Sequence, residues 1–266
     1  MRVAAVQLSS QALLHENLAR VTHWVTRAAK EGAELVALPE NFAYFGDEAE
    51  KRTLAESLDE EGPIVRTLRD LSRTLSVAIV GGMPERSADP DRPYNTSVLF
   101  DREGKLVARY RKMHLFDVAL SDGTEMKESR ATLAGTEPCV AEVAGRKLGM
   151  TVCYDLRFPE LFRKLGADGA QIVTVPAAFT LTTGKDHWHV LLRARAIEHQ
   201  VFVLAPAQHG SHSKGRRTYG KSLVVDPWGD VLAQAGEGEG IASATLDFEY
   251  LAKVRRELPC LDHRRL

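Results

Sequence analysis

Apolar positions along the chain switch repeatedly between the strand period and the helix period. Val3 to Leu8 is a short β-rich run. From Asn17 to Lys30, Leu18, Val21, Val25 and Ala28 fall at helical spacing, with Trp24 beside that face. Glu34 to Leu38 is an apolar strand ending at Pro39. Pro63 opens a second helix, in which Ile64, Leu68, Leu71 and Leu75 step by one turn each. Val77 to Val80 is a strand closed by Gly81-Gly82. This strand–helix alternation predicts an α/β sheet with helices packed on it.

The middle reads differently. Thr96 to Phe100 and Leu106 to Tyr110 flank a turn with Gly104, a hairpin signal, and Val140 to Val143 and Lys147 to Val152 flank Ala144-Gly145-Arg146 in the same way. Then a helix is predicted from Pro159 to Leu165, a strand from Gln171 to Val175 and a helix from His187 to His199. Strands follow at Val201 to Leu204, Ser222 to Val225, Val231 to Gln234 and Ile241 to Thr245, and a last helix spans Phe248 to Glu257. Arg193, Arg195 and Glu198 share one helix and are positioned to pair. Trp228 reads as packing in a turn, and Arg255-Arg256 and Arg264-Arg265 as a small solvated patch. No linker or repeat interrupts the pattern, so residues 1–266 are expected to form one mixed parallel and antiparallel domain.

Composition narrows the class without naming a function. Of 266 residues, 44% are apolar and 27% charged, and the net charge is −1, so no global field favours nucleic acid or an anionic membrane. No apolar run approaches the roughly 20 residues that span a bilayer. The N-terminal MRVAAVQL turns polar too soon for a signal peptide, and the cysteine of the terminal LPCLDHRRL lies too far from the end for prenylation. Three cysteines, an odd and low number, argue for a reducing compartment, and a cytoplasmic protein is expected.

One motif points to another class. Residues 215–222 spell GRRTYGKS, the phosphate-cradling GxxxxGK[ST] pattern of a nucleotide-binding protein. That loop needs a strand before it and a helix beginning at Lys-Ser, whereas Ser222 to Val225 reads as a strand and Asp226-Pro227 stops it. There is no GxSxG, HExxH or paired CxxC, and His209 and His212 read as solvated loop histidines, so no metal is indicated.

Three apolar strands end in reactive side chains: Glu40 after Leu35 to Pro39, Lys112 after Leu106 to Arg111, and Cys153 after Leu148 to Val152. Open α/β sheets gather their sites beyond strand ends. A thiol needs help to become the nucleophile, which an adjacent ammonium and a carboxylate base supply, and the ammonium also suits an oxyanion. Plainer readings remain open from the residues alone: Cys153 as a small buried hydrophobe, Glu40 as a helix cap and Lys112 as a solvated strand end.

Leu38-Pro39-Glu40-Asn41-Phe42, Tyr110 to Asp117 and Val152 to Leu161 resemble the three signature blocks of the nitrilase superfamily, the carbon–nitrogen hydrolases, in the right order. The resemblance implies an α/β fold of the four-layer α-β-β-α sandwich type and a Glu40–Lys112–Cys153 triad working through a thioester, with no cofactor. It implies a homodimer that extends the sandwich. It also makes Glu128, otherwise a solvated loop charge, a buried partner of Lys112, although the usual Pro-Gly downstream is Ala134-Gly135 here. The Tyr154 backbone N–H would complete the oxyanion site.

Ala178-Phe179, Thr182-Thr183-Gly184 and His187-Trp188 resemble the amidase branch acting on amides of dicarboxylic keto acids. An anionic amide needs a fixed cation. Arg157 is placed to grip a carboxylate, with an ordinary pair to Asp155 as the alternative, while Phe179 and Thr183 are further contact candidates. His212 to Ser222 and Val224 to Gly229 resemble the deaminated glutathione branch, except that Lys221 stands where histidine is common. The expected reaction is hydrolysis of deaminated glutathione to 2-oxoglutarate and cysteinylglycine. The alternative is an ω-amidase releasing ammonia from 2-oxoglutaramate.

Overall fold

The computed structural model describes residues 1–59, 62–119 and 125–265. In chain order, its first half runs β1 (Arg2–Gln7), α1 (Leu14–Lys30), β2 (Leu35–Ala37), α2 (Pro63–Leu75), β3 (Ala78–Glu85), β4 (Tyr94–Phe100) and β5 (Leu106–Arg111). A short hairpin, β6 (Asp117–Ala119) with β7 (Glu125–Lys127), leads out of it. The second half runs β8 (Cys139–Val143), β9 (Arg146–Met150), α3 (Pro159–Ala167), β10 (Ile172–Thr174), α4 (Leu181–His199) and β11 (Phe202–Ala205). Then come β12 (His209–Ser211), β13 (Arg217–Tyr219), β14 (Leu223–Val225), β15 (Val231–Gln234), β16 (Gly240–Thr245) and α5 (Phe248–Glu257).

Two six-stranded sheets result, ordered β16-β1-β2-β3-β4-β5 and β15-β14-β11-β10-β9-β8. Each has three parallel strands at its centre, β1-β2-β3 and β9-β10-β11, with antiparallel strands at the edges. The period-two pattern decides what each face buries. Val3, Ala5, Leu35, Ala37, Ala78 and Val80 share a core with Leu148, Met150, Phe202 and Leu204 of the other sheet. Ala4, Val6, Val36 and Ile79 turn the other way and pack under α1 and α2 with Val21, Val25, Ile64 and Leu68. Leu161, Phe162, Trp188 and Leu192 of α3 and α4 join the core from the far side. The layers are therefore helix, sheet, sheet, helix, as expected.

Most predicted elements stand within a few residues of their forecast positions; six points differ. α4 begins at Leu181 rather than His187, because the Thr180 hydroxyl caps it by accepting from the Thr183 N–H at 3.3 Å. The polar stretch Gln208 to Arg217 is no plain loop: His209 to Ser211 pair with Arg217 to Tyr219 as a hairpin. His212 is buried, one ring nitrogen on Ser10 O at 2.8 Å and the other on Thr218 Oγ1 at 2.6 Å; His209 is half-buried beside Glu237. Trp228 does not pack in its turn; it is 54% exposed. Arg255 is half-buried and donates to the carbonyls of Gln200 and Ala170. Arg195 pairs with Glu198 at 2.8 Å, whereas Arg193 donates to Gly229 O.

Candidate active site

Chain segments leaving the strand ends carry Glu40, Lys112 and Cys153 into one cavity of about 580 Å³. Lys112 is the best-buried charge there, at 1% exposure. Its ammonium donates to Glu40 Oε1 at 2.9 Å and to Glu128 Oε2 at 2.8 Å. Burial alone would pull the lysine down, but Glu128 and then Glu40 outweigh it and hold Lys112 well above the usual lysine range. The site thus contains a fixed cation. Glu128 is buried, unlike the solvated charge its sequence neighbours predict, and also accepts the Phe116 N–H at 2.7 Å.

Cys153 is buried, with the charges of Glu40 and Lys112 acting on its thiol. Burial and then the Glu40 charge push its thiol well above the usual range, against the pull of Lys112. The neighbouring ammonium favours the thiolate as expected, but burial and the Glu40 charge outweigh it. The resting sulfur keeps its proton, with the Glu40 carboxylate lining the same cavity. The residue sits on an elbow with φ 48°, a left-handed conformation that costs a non-glycine residue about 1–3 kcal/mol. Its N–H donates to Pro176 O at 2.8 Å, which pins the turn to the strand end beyond β10.

A buried carboxylate fastens the elbow to the lysine segment. Asp155 accepts from the Val152 N–H at 2.8 Å, from Tyr110 Oη at 2.7 Å and from the His114 N–H at 3.1 Å. Asp155 is thereby committed, and the Arg157–Asp155 pair weighed from the sequence does not form. On the far side of Lys112, Arg111 forks onto buried Glu85 at 2.9 and 2.7 Å, which holds β5 in place. Gly135 closes this loop by donating to Lys112 O at 2.8 Å, and a Cβ there would fall 2.2 Å from Arg111 O. Of the expected Pro-Gly, the glycine is what the geometry requires.

Sequence reasoning passed over Asn95 and Gln208. Asn95 Nδ2 donates to Glu40 Oε1 at 2.9 Å and reaches Glu128 Oε1 at 3.3 Å, tying the two carboxylates together. Gln208 Nε2 donates to Glu40 O at 3.0 Å. Asn95 lies on a strand whose signal is its apolar neighbours, and a polar residue among them was the only available hint.

The remaining candidates line the same cavity: Tyr154, Arg157, Phe179 and Thr183, together with Glu128. Arg157 lies over the Phe179 ring at 5.1 Å and donates to His187 Nδ1 at 3.1 Å. Phe179 packs on Trp188, and the Thr183 hydroxyl lies 2.9 Å from that of Thr180.

The segment that mimics a phosphate loop also reaches this cavity. Lys214 to Thr218 form part of its wall. No helix follows Lys221-Ser222; the chain enters β14, and Ser222 Oγ accepts the Ala207 N–H at 2.8 Å. The N-terminal amides a nucleotide phosphate needs are therefore missing. His212 tethers the hairpin to Ser10, and Gly184 allows Tyr219 to press against α4, since a Cβ there would fall 2.3 Å from Tyr219 Cβ.

Comparison with known proteins agrees with this arrangement. The family model described as carbon–nitrogen hydrolase matches residues 2–256. A Synechocystis protein named deaminated glutathione amidase is 44% identical over 265 residues, covering 98% of this chain and 97% of its own. The structure of Saccharomyces cerevisiae Nit3, described as a member of branch 10 of the nitrilase superfamily, superposes with TM-score 0.90 at 35% identity over 100% of this chain and 97% of that one. A glutamate-to-glutamine variant of the amidase from Nesterenkonia sp. AN1, with acrylamide added at its active-site cysteine, superposes with TM-score 0.82 at 29% identity over 98% of each chain. The chain belongs to the carbon–nitrogen hydrolase family, within the nitrilase superfamily.

Proposed function

We propose that this protein is an amidase that cleaves deaminated glutathione through a thioester on Cys153. The observation that carries this reading is the buried Lys112 held between Glu40 and Glu128 in one cavity with the Cys153 thiol. Glu40 takes the thiol proton as sulfur attacks the amide carbonyl. Lys112, with the Tyr154 N–H, stabilises the oxyanion, and the proton passes to the departing amine. Glu40 then activates the water that releases the acid. Because Lys112 is charged before substrate arrives, its stabilisation needs no reorganisation during the reaction.

The choice of substrate is supported by the Synechocystis relative and by the cations of the wall. Arg157 is the residue we assign to the acyl-side carboxylate, with Phe179 and Thr183 as its neighbours. Side-by-side assay of deaminated glutathione and 2-oxoglutaramate is expected to favour the former in kcat/KM, and Arg157→Ala is expected to raise KM about 10- to 100-fold, as loss of a charge-assisted pair does. A large preference for 2-oxoglutaramate would instead support the ω-amidase reading.

We further propose a homodimer. Val190, Ile197 and Trp228 are exposed, and Ile197 touches the Gly229 turn that carries Trp228. An apolar patch of this kind favours burial against a second subunit. Light scattering should give twice the chain mass, with Trp228→Glu shifting it towards the monomer; a wild-type monomer at micromolar concentration would exclude the dimer. No helix among the described residues is long and apolar enough to cross a membrane. The three cysteines are free, and a nucleophilic thiol suits a reducing compartment such as the cytoplasm.

A further inference from the structure

Six cationic side chains line the cavity among the described residues: Lys51, Lys112, Arg157, Lys214, Arg216 and Arg217. Four of them have carboxylate partners. Lys112 is held by Glu40 and Glu128, Lys51 and Arg216 share Glu48 at 2.6 and 2.7 Å, and Lys214 pairs with Asp47. Arg216 also lies over the Phe45 ring. The Arg216–Glu48 and Lys214–Asp47 pairs join the 44–51 loop to the basic hairpin beside the cavity. Two guanidiniums remain with no carboxylate among the described residues, Arg157 and Arg217.

Arg217 is placed by the backbone. β13 is tied to the segment that enters α4, through Tyr219 N–H to Phe179 O at 3.0 Å and a bridge between Thr180 and Thr218. This fixes the Arg217 Cα beside the wall formed by Phe179 to Thr183, while its side chain stays exposed. A guanidinium on a fixed backbone, with no carboxylate partner among the described residues, is free to receive an anionic group of a ligand.

Resting on the amidase reading above, we propose that Arg217 binds a carboxylate on the leaving amine, so that the enzyme selects amides whose amine portion is itself an acid. Deaminated glutathione carries two carboxylates, one on the 2-oxoglutaryl group and one on the terminal glycine. They match the two uncommitted arginines. Arg157 takes the acyl carboxylate, and Arg217 takes the glycine carboxylate of cysteinylglycine. Lys214 and Arg216 keep the hairpin closed by their own pairs and stay committed.

The test compares deaminated glutathione with its terminal carboxamide, which has the same shape without the second charge. Wild-type enzyme is expected to prefer the acid by about 10- to 100-fold in kcat/KM. In Arg217→Gln that preference should fall to about one, and Arg217→Lys should restore part of it. A structural role would lower both rates together and leave the ratio, so an undiminished ratio in Arg217→Gln overturns the assignment, as does a wild-type ratio near one. If wild-type enzyme turns over neither compound, the substrate reading fails and takes this assignment with it. Turnover with an unchanged ratio sinks the Arg217 assignment alone.

Discussion

Cys153→Ala is expected to lose at least about 10⁴-fold in amide hydrolysis while keeping the fold. The reason lies in how little else at the site can attack a carbonyl. Glu40 and Glu128 are both engaged by Lys112, and Lys112 is held as an ammonium, which has no lone pair to offer. Without the sulfur, the cavity retains Lys112 and Glu40 but has no group to bond covalently to the substrate carbonyl carbon. The stability cost should be small, about 1 kcal/mol, because only one small side-chain atom is removed and the elbow is held by backbone and by Asp155. Steady-state rates, thermal melting and intact mass after incubation with substrate check the three parts. Rates close to wild type on deaminated glutathione, or a covalent acyl adduct on the variant, would show that Cys153 is not the nucleophile.

The parts of this architecture visible in the sequence were those carried by periodicity or by a reactive residue at a strand end. Strands such as Val77 to Val80 and helices such as Pro63–Leu75 announce themselves because their apolar faces repeat locally. Cys153, Lys112 and Glu40 were found because each follows an apolar run, though their convergence came from resemblance to a family. What escaped was whatever depends on pairing between distant segments. The burial of His212 is set by Ser10, some two hundred residues away, and Asn95 earns its contacts only when β4 lies beside the Glu40 and Glu128 segments. The start of α4 was missed for a different reason: its first turn is polar, so capping chemistry rather than an apolar stripe sets its boundary. The state of the thiol was also illegible, because it turns on the contest between burial, Glu40 and Lys112 in three dimensions.

That contest makes Glu40→Gln the more discriminating substitution. Hydrolysis should fall by about 10²–10⁴-fold, the usual range for loss of a general base, since glutamine can accept neither the thiol proton nor that of water. The cysteine itself should respond in the opposite sense. Burial raises its thiol first and the Glu40 charge raises it further, whereas Lys112 lowers it. Glutamine removes one upward push and leaves the downward pull, with Lys112 still charged through Glu128 at 2.8 Å. The thiol should therefore ionise at lower pH in the variant than in wild type. Alkylation by iodoacetamide, followed by intact mass across a pH series, reads this directly: its midpoint should move down in Glu40→Gln even as hydrolysis collapses. A midpoint that moves up would mean that Glu40 is not the charge that holds the thiol protonated. Hydrolysis within tenfold of wild type would mean that another group removes the proton. Loss of turnover with an unreactive cysteine would point to a disordered elbow, which near-ultraviolet circular dichroism separates from a chemical effect. Lost hydrolysis together with an earlier-ionising, freely alkylated Cys153 is the combination that a base sharing the cavity with its nucleophile predicts.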